Sequence, residues 1–145
     1  DSATAGGHLD MIRVMYAGAC AHKDAYSDAT VMGAYKALEM ATIEGARACL
    51  WDDEIGSLEP GKRADLVLVD RSGLHWHPAR SPIANLVYSA TGSDVHTVII
   101  DGRVVMQDRV VLTVDLGHLK DELAAASRAW RGRSGVEVPV PWPIH

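Results

Sequence analysis

Residues 55–70 read IGSLEPGKRADLVLVD, and this stretch decides the fold. Pro60-Gly61 is a tight-turn pair, and the unbroken apolar run Leu66-Val67-Leu68-Val69 that follows has the pattern of a strand buried on both faces. Glu59, Lys62, Arg63 and Asp65 are turn and strand-edge residues, with Asp65 expected to bond local backbone amides.

Downstream the extended pattern continues. Residues 95–106 read as a hairpin, with Val98-Ile99-Ile100 and Val104-Val105-Met106 on either side of Asp101-Gly102, the strongest short hairpin signal. Before it, Ser81-Pro82 is a helix start, and Ile83, Leu86, Val87 and Ala90 follow at helical spacing. Gln107-Asp108-Arg109 turns the chain into Val110-Val111-Leu112. A last helix is expected over about residues 116–131, with Leu116, Leu119, Leu123, Ala126 and Trp130 on one stripe that should dock on another surface. The tail alternates Pro139, Pro141 and Pro143, which favours an extended segment lying on a neighbouring surface.

Upstream the period is helical. Residues 9–20 carry an apolar stripe of Leu9, Ile12, Met15, Tyr16 and Ala19 suited to packing on a sheet or barrel wall. Residues 22–30 are polar. Residues 31–50 follow as a second helical stretch with Tyr35, Leu38, Ala41 and Cys49 on its apolar face, and Thr42 is placed to break it and re-cap it as two short helices.

Composition sets limits on function. Lys plus Arg is 14 and Asp plus Glu is 19, so the net charge of -5 argues against nucleic acid or an anionic membrane as the main partner. No run of eighteen apolar residues is present. The two cysteines, Cys20 and Cys49, sit in apolar helical contexts and read as buried free thiols, which fits a cytoplasmic protein.

The wording of residues 55–70 closely resembles the segment by which metal-dependent amidohydrolases return from a catalytic barrel to a small β-sandwich. Ala41-Thr42-Ile43-Glu44-Gly45-Ala46 resembles the helix junction of the same family, and Asp1-Ser2-Ala3 with Leu9-Asp10-Met11 resembles its segment after the last barrel strand, in the deaminase and chlorohydrolase branch. The resemblance implies an α/β fold: the C-terminal remnant of a TIM-type barrel over residues 1–54, and part of a composite β-sandwich with a C-terminal helix and Pro-rich tail over residues 55–145. A complete barrel needs about 250 residues, so the 145 residues here are expected to open in mid-protein. The barrel-facing apolar stripes then await either the missing N-terminal barrel portion or a second copy of the chain.

In this resemblance Asp1 is both a metal ligand and the catalytic carboxylate, because a carboxylate can take a proton from a metal-polarised water and release it again. Ser2 and His8 border the same substrate pocket. The family's Ser-Asn-Asn is replaced here by Ala5-Gly6-Gly7, which removes polar contacts from that loop. His75 and His77 have metal-ligand spacing, but they follow the 66–69 strand on the sandwich side, with no third ligand at zinc-site spacing, and read as loop residues. Where the family commonly has Gly after its junction helix, this chain has Leu50. A left-handed Leu costs roughly 1–2 kcal/mol, so the helix is expected to end differently or run on to Trp51.

The implied function is that of a hydrolase which, when intact, deaminates an aminated nitrogen heterocycle of purine, pyrimidine or triazine type. It would use one divalent metal, zinc, to activate the attacking water, while the chain alone would be inactive. Hydrolysis of a cyclic amide by a relative in the same superfamily, and a non-catalytic structural domain, are the alternatives.

Overall fold

The computed structural model describes Gly7, residues 9–135 and Trp142. The chain divides into two compact units, residues 1–110 and 111–145.

In the first unit, helix α1 (Met11–Tyr26) begins at Asp10, whose carboxylate accepts the Ile12 and Arg13 N–H groups at 3.0 and 3.4 Å. It runs six residues past the expected end, through the polar segment from His22, and stops at left-handed Ser27. Its buried side is Ile12, Met15 and Ala19, whereas Leu9 and Tyr16 of the expected stripe are exposed. Helices α2 (Ala34–Ala41) and α3 (Ile43–Ala48) are separated at Thr42, as the sequence predicts. Thr42 breaks the helix without re-capping it: its hydroxyl donates back to the Leu38 carbonyl at 2.7 Å and caps nothing. Small residues, Ala34, Ala37 and Ala46, are the buried ones here, while Tyr35 and Cys49 of the expected face are exposed and Cys20 is half-buried. Only small side chains fit where α2 meets its neighbours closely.

Leu50 corrects the expectation for the end of α3. It is left-handed (φ 56°) and 92 % exposed. The Leu50 N–H donates to the Arg47 carbonyl and the Trp51 N–H to the Ala46 carbonyl, both at 3.0 Å. These two bonds form a Schellman termination, and they offset the strain that a glycine would have avoided.

Helix α4 (Pro82–Tyr88) starts as predicted, with the Ser81 hydroxyl accepting the Ala84 N–H and Pro82 in the first turn; Ala90 lies beyond its end. Ile12, Met15, Ala19, Ala34, Ala37 and Val87 form one core joining α1, α2 and α4, with Leu38, Ile83, Leu86 and Val95 packed around it. Lys23 at the end of α1 donates to the Tyr88 hydroxyl and lies 4.4 Å from that ring's centroid.

The strands β1 (Leu66–Val69), β2 (Val95–Ile100), β3 (Arg103–Gln107) and β4 (Val110–Val111) form one sheet in that order. β1 is antiparallel to β2 with Leu66 opposite Ile99, and β2 to β3 with Ile100 opposite Arg103; each pairing contains a register shift. The expected hairpin is present: Asp101 and Gly102 have φ of 51° and 75°, the two positive values of a type I′ turn. The strand at 66–69 is not buried on both faces. β1 is an edge strand, with Val67 58 % and Leu68 50 % exposed, because nothing among the described residues covers its outer side.

Asp65 is also corrected. Its carboxylate accepts the Asp101 N–H at 2.7 Å, thirty-six residues away, and the Gly102 N–H donates to the Ala64 carbonyl at 3.0 Å. Asp65 therefore fastens the start of β1 to the hairpin turn. Asp70, at the other end of β1, accepts from Arg109 Nη2 at 2.7 Å. Asp108 and Arg109 have φ of 50° and 65°, a second two-residue turn of the same kind built without glycine. Three bonds hold Arg109 in this conformation: the one to Asp70, one from its Nε to the Ser93 carbonyl at 2.9 Å, and one from its N–H to the His96 carbonyl at 3.0 Å.

The second unit contains helix α5 (Leu116–Ser134), capped by the Asp115 carboxylate and ended by left-handed Gly135. Its expected stripe is present, but no residue of the helix is buried: Leu123 is 60 % and Trp130 52 % exposed. The prolines of the tail lie outside the described residues.

Candidate active site

The three residues assigned from the sequence, Asp1, Ser2 and His8, lie outside the described residues. The structure describes the residues that follow them in sequence. Asp1 precedes Asp10 by nine residues, and Asp10 is fixed as the cap of α1. Beside it opens a cleft of about 860 Å³ lined by residues including Leu9, Asp10, Leu38, Leu58, Val69 and Met106. Its wall is mostly apolar, as small-molecule sites commonly are, with the carboxylates of Asp10 and Asp65 among the few polar groups.

The residue that sequence reasoning missed is Asp94, the buried acid of this chain's described part, 7 % exposed. It closes a short 3₁₀ turn (Gly92–Asp94) through a capping box: its carboxylate accepts the Thr91 N–H at 2.8 Å, while its own N–H donates to the Thr91 side chain and also to the Thr91 carbonyl at 3.0 Å. His75 Nε2 lies 2.9 and 3.0 Å from the two carboxylate oxygens. Burial on its own would raise the Asp94 pKa, but the Thr91 N–H and the His75 ring outweigh it and hold the carboxyl below its usual range. The Trp76 indole N–H is buried and also favours the charged carboxylate, although no group among the described residues meets it with full hydrogen-bond geometry. The Asp94 carbonyl accepts the Asp70 N–H at 2.8 Å, which joins the cluster to the end of β1. The spacing Thr91-x-x-Asp94 is the sequence signal that announces this box.

The His75–Asp94 pair has the geometry of a histidine–carboxylate dyad, but Thr91 Oγ1, 3.4 Å from Asp94, is bound to the acid. The cluster is a brace. Among the described residues no three His, Cys, Asp or Glu side chains, His75 and His77 included, are placed to hold an ion. His22, His96 and His118 are engaged with Gly18, Asp108 and Glu122 respectively. The described residues thus do not constitute a metal centre.

With that geometry in place, comparison with known proteins identifies the chain. The amidohydrolase family profile matches residues 1–105, and the chain belongs to this family. It is 43 % identical over 123 residues to a 5-methylthioadenosine/S-adenosylhomocysteine deaminase of Caldanaerobacter subterraneus, covering 85 % of this chain and 28 % of the relative. Against the deaminase of the same description from Desulforudis audaxviator the identity is 50 % over 115 residues, 79 % of this chain and 27 % of that one. An adenosine deaminase from Xanthomonas campestris, solved with bound zinc, superimposes with a TM-score of 0.82 at 36 % identity, over 92 % of this chain and 29 % of the other. The zinc-containing atrazine chlorohydrolase of Arthrobacter aurescens shares the fold, with a TM-score of 0.71 at 22 % identity over 79 % of this chain and 25 % of the other. The chain spans little more than a quarter of the length of the relatives it matches. No helix among the described residues is long and apolar enough to cross a membrane.

Proposed function

We propose that this chain is the C-terminal part of a metal-dependent deaminase acting on an aminated purine, in which water adds to the ring carbon and the exocyclic amine leaves as ammonia. The observation that carries the reading is the identity of 43 % over 123 residues and 50 % over 115 residues to 5-methylthioadenosine/S-adenosylhomocysteine deaminases. Residues 1–54 are read as the end of the barrel and residues 55–145 as the sandwich side with its terminal helix. This is a division by parentage and differs in kind from the division by compactness at residue 110.

In this reading Asp1 carries the reacting proton and is this chain's contribution to a zinc site, and Ser2 and His8 border the substrate. The remaining ligands come from the barrel portion that the longer relatives possess, so the chain alone is inactive. A small heterocyclic substrate, a cytoplasmic location and association with the barrel portion or a second copy belong to the same reading.

The test is an assay of the enzyme carrying this chain with 5′-methylthioadenosine and with a cyclic amide. Stoichiometric release of ammonia from the nucleoside, with the amide left intact, is the expected result. Opening of the amide ring without ammonia release from the nucleoside would favour cyclic-amide hydrolysis.

A further inference from the structure

His75 stands in the middle of a second 3₁₀ turn (Leu74–Trp76), and its ring is seated on two sides. Nε2 lies 2.9 and 3.0 Å from the Asp94 carboxylate oxygens. On the Nδ1 side is Gly73, where a Cβ would lie 2.5 Å from His75 Cε1 and 2.8 Å from Nδ1. The Gly73 backbone is extended, with φ −65° and ψ 149°, a conformation open to other residues. The glycine is needed for the room it leaves to the imidazole.

The carboxylate of Asp94 accepts, so the neutral ring carries its proton on Nε2 and its lone pair on Nδ1. The His75 side chain is 42 % exposed. Water can therefore deliver a second proton to Nδ1, where Gly73 has no side chain to cover it. That proton places a full positive charge opposite a buried carboxylate, and the Nε2–H bond becomes charge-assisted from both partners.

Other charged groups surround the pair. The Arg71 guanidinium carbon lies 5.7 Å from the centroid of the Trp76 ring, Arg109 is bound to the Ser93 carbonyl and to Asp70, and Asp10 at the head of α1 borders Gly92. Of these side-chain types, imidazole is the one that ordinarily changes charge between about pH 5.5 and 8, and the other imidazole of this loop is His77. We infer that His75 is a proton-operated latch: protonated at Nδ1, it tightens the joint between the Leu74–Trp76 and Gly92–Asp94 turns. The end of β1 is tightened with it, because the Asp70 N–H bonds the Asp94 carbonyl. The joint is firmer in mild acid and slackens as pH rises through the imidazole range. The latch needs neither Asp1 nor the deamination reaction to operate.

The test is amide hydrogen exchange of the chain at about pH 5.5 and pH 8, read as protection factors at Asp70, Thr91 and Asp94, whose N–H groups all bond within the joint. Protection should rise roughly threefold on going to the lower pH. His75→Gln keeps a polar side chain but cannot take the charge, and should abolish the rise. His77→Gln should leave it intact. Gly73→Ala, which alters no titratable group, should also abolish it by pushing the ring off its seat. A flat profile in the unsubstituted chain, a rise that persists in His75→Gln, or a full rise in Gly73→Ala would overturn the latch. Proton NMR of the unsubstituted chain gives a readout that no variant's folding can disturb. The Thr91 amide shift should titrate with the same midpoint as the His75 ring, and separate midpoints would equally overturn the latch.

Discussion

In the helical layer, α1, α2 and α4 meet through Ile12, Met15, Ala19, Ala34, Ala37 and Val87, each less than a tenth exposed, whereas no residue of β1, β2 or β3 is buried to that degree. The strands are positioned instead at their ends. Asp65 bonds the first two-residue turn and Asp70 the second, so two carboxylates flanking one strand hold both tight turns of the sheet. The difference shows two ways of fixing local geometry with the same chain: packing of small and branched side chains in one region, and charge-assisted bonds to turn residues in the other.

The comparison can be broken by substitution. The largest effect is expected from Ile12→Ala, which opens a gap in the helical core and should cost about 2–5 kcal/mol in denaturant unfolding. A loss below about 1 kcal/mol would mean that the helical layer is not held by packing. Gly102→Val places a branched residue at φ 75° and should cost on the order of 1–2 kcal/mol, with amide exchange rising first at residues 98–107. Exchange rising equally in α1 would show that sheet and helices are not separately held. Leu50→Gly should work in the opposite direction and stabilise the chain by roughly 1 kcal/mol, since it relieves a left-handed leucine that is almost wholly exposed.

The smallest effect is expected from pH. The Arg109 guanidinium, helped by the Ser72 amide, holds the Asp70 carboxyl well below its usual range. A depressed folded-state pKa contributes stability that is present above the unfolded value, about 3.9, and is lost as pH falls below it. Acid should thus loosen the Asp108–Arg109 turn before it loosens α1, and Asp70→Asn should remove that difference. The exchange rates of Arg109 and Ala19 between pH 5 and pH 3 give the measurement.

Much of this was legible in the sequence where local chemistry decides the outcome. Ser81-Pro82, Thr42 and Asp101-Gly102 each act through local backbone conformation, and each stands where the pattern places it, although Thr42 breaks the helix without re-capping it. Asp65 was read as a local capper because a sequence shows near partners only; its partner is the turn that the fold brings back from residue 101. Leu50 was expected to avoid the left-handed region because the propensity of one residue omits the two carbonyls that its conformation satisfies. β1 reads as doubly buried from its unbroken apolar run, but apolarity states what a strand can pack against and says nothing of whether that surface is present. Of the site, Asp1 is assigned only through family resemblance and lies outside the described residues. Asp94 is announced by its spacing from Thr91, yet its burial and its histidine partner belong to tertiary structure.

The central claim is that this chain brings the reacting carboxylate to a deaminase through Asp1. It is tested most directly by replacing Asp1 with Ala in the enzyme carrying this chain and measuring ammonia release together with thermal unfolding. The account predicts a fall in turnover of at least about 10²–10⁴-fold with an unchanged unfolding midpoint, because in the proposed reading the residue serves the reaction. Near-normal turnover in the Asp1→Ala enzyme would contradict it.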